Sequence, residues 1–164
     1  MTEISQELRT VLERSADALE SQWRKGGNAG FYPGSVYISH EIAKNSRCLV
    51  DTLAYETAQY ARQDVTADNG HYEVEDRLIY EICERVFPAM KSIVREKILA
   101  RESVRNTYSS DLGEEGRMIP PEVFLDWYDC QCTMPTAMIM LYNDNICQGG
   151  EEAAEIVRLT IKEL

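Results

Sequence analysis

The sequence predicts an all-α fold, an irregular bundle of five or six helices forming a single domain over residues 1–164. Apolar residues recur at three- and four-residue steps through most of the chain, and no stretch alternates cleanly over enough residues to build a sheet. With 44% hydrophobic and 27% charged residues, the composition is that of a packed globular chain. A domain of this size buries about two-thirds of its unfolded surface, so it needs no staples.

The first helix is expected over 3–25, where Ile4, Leu8, Val11, Leu12, Ser15, Leu19 and Trp23 share one face. Gly26-Gly27-Asn28 ends it, and Ala29 to Gly34 is a turn-rich connection in which Phe31 and Tyr32 are expected to plug the end of the bundle. A second helical face runs from Ser35 to Arg62 through Ile38, Ile42, Leu49, Val50, Leu53, Thr57, Ala58 and Ala61, although Val36-Tyr37-Ile38 alone could be extended. The polar segment 64–70 reads as a loop.

The longest pattern, from Tyr72 to Val104, carries Leu78, Ile79, Ile82, Val86, Met90, Ile93, Val94, Ile98 and Leu99 and is interrupted by Pro88. That proline predicts a kink, or two helices meeting near Phe87. Residues 106–120 form a long loop, functional or mobile, before Pro121 opens the next helix at its first position. Helix four should run from Glu122 towards Ile146, with Val123, Phe124, Trp127, Tyr128, Met134, Ala137, Met138, Leu141 and Tyr142 making it apolar almost all round and therefore central, and with a kink or a break after Thr133 caused by Pro135. Gly149-Gly150 closes it, Glu151-Glu152 opens the last helix, and Ile156, Val157, Thr160, Ile161 and Leu164 form that helix's buried stripe.

With 28 Asp and Glu against 17 Lys and Arg, the net charge of −11 makes nucleic acid and anionic membrane unexpected partners. Lys91, Arg95, Lys97, Arg101 and Arg105 are interleaved with Glu96 and Glu102, the spacing of a salt-laced solvated face. The opening Met1-Thr2-Glu3-Ile4-Ser5 predicts no secretory leader, so the cytoplasm is the expected address. The longest uncharged stretch, Cys130 to Asn143, is 14 residues and reads as a buried core segment.

Five cysteines form an odd set and are expected to be reduced, with Cys48 and Cys83 as small buried hydrophobes. Cys130 and Cys132, with Cys147 beyond them, are the candidates for redox or metal chemistry. On a helix two residues apart point about 200° from one another, so the two sulfurs converge only if the helix breaks there. His40 and His71 are the only histidines and form no ligand pair at helical spacing. Glu73, Glu75, Asp76, Glu81 and Glu84 could bind a cation, and they also suit the start of a helix. No glycine-rich phosphate cradle or nucleophile elbow is present.

Cys48-Leu49-Val50-Asp51 with Tyr55 resembles, over about eight residues, the phycobiliprotein segment in which a helix cysteine bonds the bilin and an aspartate three residues later holds its nitrogens. Val50 stands where that family has arginine and only 47 residues precede the cysteine, so the match is set aside as coincidence.

Three function classes follow. The favoured one is a cytoplasmic, non-enzymatic module acting through protein contacts, as accessory subunit or regulator, by a partner or by self-association. The second is a helical protein binding an apolar or tetrapyrrole-like small molecule, with Phe31, Tyr32, Trp127, Tyr128 and Met138 as candidate contacts. The third is a thiol-dependent redox or metal protein using Cys130 and Cys132. No cofactor is specified by any motif.

Overall fold

The computed structural model describes residues 3–25, 48–63, 70–107 and 109–164, with the backbone alone at 70–72. Phe31, Tyr32 and His40 lie outside the described residues, as do the connection expected at 26–34, the start of the second helix at 35–47, positions 64–69 and the side chain of His71.

Among the described residues six helices surround one core, counting Gly70 to Leu99 as a single interrupted rod, so the fold is the all-α bundle expected. Helix α1 (Gln6–Gln22) starts where the Ser5 hydroxyl accepts the Leu8 N–H at 3.1 Å and buries Leu8, Val11, Leu12, Ala16 and Leu19. Helix α2 (Leu49–Gln63) buries the expected face, and the Cys48 sulfur takes the Asp51 N–H at its first turn.

Pro88 neither ends nor splits the rod. Helix α3 (Gly70–Glu81) passes through a π-helical turn at Ile82–Val86 into α4 (Phe87–Leu99), with proline in the first turn of α4. The Phe87 N–H reaches back five residues to the Ile82 carbonyl, and this wider turn gives room for a ring that would otherwise press on the preceding turn. The rod keeps Leu78, Ile82, Val86, Met90, Val94 and Ile98 buried on both sides of the interruption, whereas Ile79 is half-buried and Leu99, at the end, is exposed.

After α4, β1 (Val104–Arg105) pairs antiparallel with β2 (Met118–Ile119), Val104 opposite Ile119. A two-residue ladder is too short to leave an alternating pattern in sequence, and it closes the base of the 106–117 loop. The helix expected over 122–146 is two: α5 (Pro121–Gln131) and α6 (Pro135–Asn145), separated by the extended Cys132. Only α6 is central, packing on α4 and α2, whereas α5 rests mainly on α4. Phe124, Leu125 and Tyr128 face inward on α5, but Glu122, Val123, Asp126, Asp129, Cys130 and Gln131 are exposed, which corrects the expectation of a helix buried all round.

Helix α7 (Gly150–Glu163) makes the broadest interface among the described residues, against α1. Arg158 straps that interface from outside, at 2.7 Å from Glu20 and 3.3 Å from Asp17. The cations of α4 also reach other helices instead of Glu96 and Glu102: Arg95 meets Asp129 of α5 at 2.6 Å and Lys97 meets Glu155 of α7 at 2.8 Å. No helix among the described residues is long and apolar enough to cross a membrane.

The two glycines before α7 differ in purpose. A Cβ on Gly150 would stand 2.3 Å from the Leu19 carbonyl oxygen and 2.8 Å from that of Glu20, so the close approach of α1 and α7 depends on its absence. Gly149 is extended and has open space around it. Urea unfolding should therefore show Gly150→Ala destabilised by about 1–3 kcal/mol, as overpacked sites are. Gly149→Ala, which meets no neighbour but gives up glycine at the helix N-cap, should change stability by less than about 1 kcal/mol; equal losses at both positions would contradict the backbone contact.

Candidate functional site

Among the described residues, three places carry polar chemistry or unpartnered surface: the last turn of α6, the 106–117 loop, and the outer face of α5.

At the end of α6, Tyr142 and Asn143 are buried neighbours. The Asn143 Oδ1 accepts the Trp23 indole N–H at 2.8 Å and the Leu49 N–H at 3.1 Å, tying the end of α1 to the start of α2. The Tyr142 hydroxyl donates to Glu152 in the first turn of α7, and the Arg101 guanidinium shares the same carboxylate oxygen. The other oxygen of Glu152 accepts the Gln148 N–H at 2.9 Å. Burial opposes ionisation of Glu152, but the bonds from Tyr142, Gln148 and Arg101 outweigh it and hold the carboxyl below its ordinary range. Burial, then the adjacent Glu152, push the Tyr142 phenol up. The neighbouring Cys147 is buried, donates to the Gly149 carbonyl at 3.3 Å, and has its thiol raised by that burial.

The loop is organised by Asn106, whose buried carboxamide donates to the carbonyls of Ser109, Gly113 and Glu114 and accepts the Ser109 N–H. Its backbone pairs with Arg117 and Gly116 at 2.8 and 2.7 Å, so this long connection is internally knit. Beside it lies an open recess of about 410 Å³ lined by Thr107, Ser109, Ser110, Glu114 and Glu115 among others. It offers hydroxyls and carboxylates to a solute.

Along α5 the rings of Phe124, Trp127 and Tyr128 lie 6.1–6.3 Å apart in tilted and edge-on pairs. Of the sequence candidates, Tyr128 and Met138 are core residues, 7% and 0% exposed, while Trp127 is half-buried. The Trp127 Nε1 is buried and meets no acceptor among the described residues. Cys130 is exposed on α5, Cys132 is half-buried in the break, and Cys147 is in the core by α7. Among the described residues no three His, Cys, Asp or Glu side chains gather as a metal would need. Cys48 is buried as expected, whereas Cys83 is only half-buried; burial raises both thiols, with Asp51 and Glu84 adding to it. Glu81 of the acidic cluster holds the Ser5 hydroxyl and Arg85. Sequence reasoning missed Asn143, Asn106 and Glu152, whose only signal was a polar residue at an inward position.

Two outcomes follow. Brief trypsin treatment should spare Arg105 and Arg117 in the native chain and cut there at least about tenfold faster in Asn106→Ala, because local opening governs cleavage. Stability should also have a plateau between about pH 5 and 8. Glu152, depressed in the folded state, contributes stability above its unfolded value near 4.3 that is lost as pH falls through the folded one; the raised thiols and Tyr142 contribute stability below about 8.5 and 10 that is lost as pH rises. Urea titrations at stepped pH should show Tyr142→Phe with a shallower loss above about pH 10; an unchanged slope would dismiss Tyr142 from it.

Compared with known proteins, this chain matches no family model, no curated protein and no solved structure.

Proposed function

We propose that this chain is a non-enzymatic helical module that works through protein contacts, and that its contact surface is the outer face of α5. The carrying observation is a row of side chains one and two turns apart, Val123, Trp127 and Cys130, in which Val123 and Cys130 are exposed opposite the helix's buried side and Trp127, half-buried, packs against the core. Val123 is 48% exposed, and Met118 and Met134, next to either end of the helix, are 55% and 46% exposed. Apolar surface left in water forfeits about 25 cal/mol per Å², so a contiguous row is the kind of surface a partner covers.

Core packing of Tyr128 and Met138 weighs the same way, since two side chains that an apolar-ligand site would need are already spent. The free thiols are in keeping with a reducing compartment such as the cytoplasm.

Native mass spectrometry of untagged protein from its own cells should reveal a stoichiometric second polypeptide or a defined oligomer. Val123→Asn, in a chain that keeps its helical circular dichroism, should weaken that assembly by about tenfold, the loss of a central apolar contact. The same assembly at undiminished affinity in the variant would remove α5 as the contact surface.

A further inference from the structure

Beside the apolar row on α5 runs an acidic one. Glu122, Asp126 and Asp129 occupy the same spacing as Val123, Trp127 and Cys130, one position earlier, and all three are exposed. The two rows therefore lie about 100° apart around the helix and run together for about two turns. Asp129 is met by Arg95 at 2.6 Å, whereas Glu122 and Asp126 have no ion pair among the described residues.

Resting on the contact face proposed above, we infer that its partner is a basic amphipathic helical segment, whose apolar row covers Val123 and Trp127 while its cations lie over Glu122 and Asp126. Charge complementarity selects the sign. A second copy of this chain would bring the same acidic row against itself, with −11 on each molecule, and a partner rich in carboxylates would meet the same repulsion. Geometry selects the helix. To meet adjacent apolar and acidic rows at once, the partner must present apolar and basic side chains side by side, which neighbouring positions on a helix do; neighbouring positions on a strand point to opposite faces. Two turns of contact is a small surface, so the complex is of the transient class.

The test uses the full chain and a synthetic 18-residue helical peptide with Leu and Lys in adjacent rows. A Leu/Glu counterpart and a Leu/Lys peptide of the same composition with the rows scrambled are the controls. Binding is followed by calorimetry and by amide chemical shifts that place the contact. The Leu/Lys peptide is expected to shift α5 resonances and to bind about tenfold less tightly to Glu122→Lys/Asp126→Lys, while Glu13→Lys/Glu163→Lys, with the same change in net charge, is weakened no more than about twofold. Equal weakening by both pairs, equal binding of the scrambled peptide, or shifts away from α5 would overturn the inference as non-specific attraction to an acidic protein.

The two readings fail separately. If the Leu/Glu peptide binds better and Val123→Asn abolishes it, or if sedimentation shows the chain dimerising through Val123, the face stands and the basic partner is wrong. If the cellular assembly is also indifferent to Val123→Asn, the face itself is wrong and this inference falls with it.

Discussion

The carboxamide of Asn143 is fully shielded from solvent at the point where α1 ends, α2 begins and α6 turns outward, and the arrangement of those three elements depends on its being satisfied. A buried amide without partners costs about 1–3 kcal/mol per orphaned group, so the chain is restricted to registers that bring the Trp23 indole and the Leu49 N–H to one oxygen. Apolar packing alone would tolerate α1 sliding along its neighbours; a two-donor acceptor does not. Tyr142, one residue earlier, extends the same turn to α7 through Glu152, and Arg101 adds the end of α4. Four helix ends are thus indexed against one turn of α6, and the close approach of α1 to Gly150 occurs beside them.

Charge follows that skeleton. Helix α4 spends its cations on two neighbours, Arg95 on α5 and Lys97 on α7. These pairs are partly exposed and contribute at most about 1 kcal/mol each, so they orient more than they stabilise. For α5 the orienting matters most, because its other attachments come from one side only: Phe124, Leu125 and Tyr128 pack inward, and nothing among the described residues covers Val123 on the opposite side.

Much of this was legible where one residue decides the backbone. Pro121 opens α5, Gly149-Gly150 separates the last two helices, and the stripes of α1, α2 and α7 are buried as their periodicity requires. Pro88 was legible as a disturbance, but whether a helix answers by kinking, ending or widening depends on what its buried face must keep in contact, and Val86 and Met90 are both held in the core by the π turn. Pro135 announced the break before α6; it did not reveal that α5 would stand at the edge. Hydrophobic residues around a helix show which sides could be covered, not how many neighbours there are to cover them, and Val123 was read as core on that account. Asn143 and Asn106 were invisible for a related reason, since an asparagine earns a buried place through partners 94 or 120 positions away, or through a loop that closes only after the ladder at Val104 and Ile119 forms.

The proposed contact function at the surface is in keeping with the way the interior is used. Phe124, Met90 and Met138 are buried in the core, and buried Asn143 and Tyr142 hold helix ends together, so altering that turn would disturb what keeps the fold in register. The surface of α5 is under no such demand. Eleven residues long, held at its start by Pro121 and at its end by the extended Cys132, and seated on α4 through its inner face, the helix is already ordered before anything meets it. On the proposed reading, a partner helix would lose its own freedom on binding but would not have to order this one, which is the condition under which a contact of two turns can be specific without being tight.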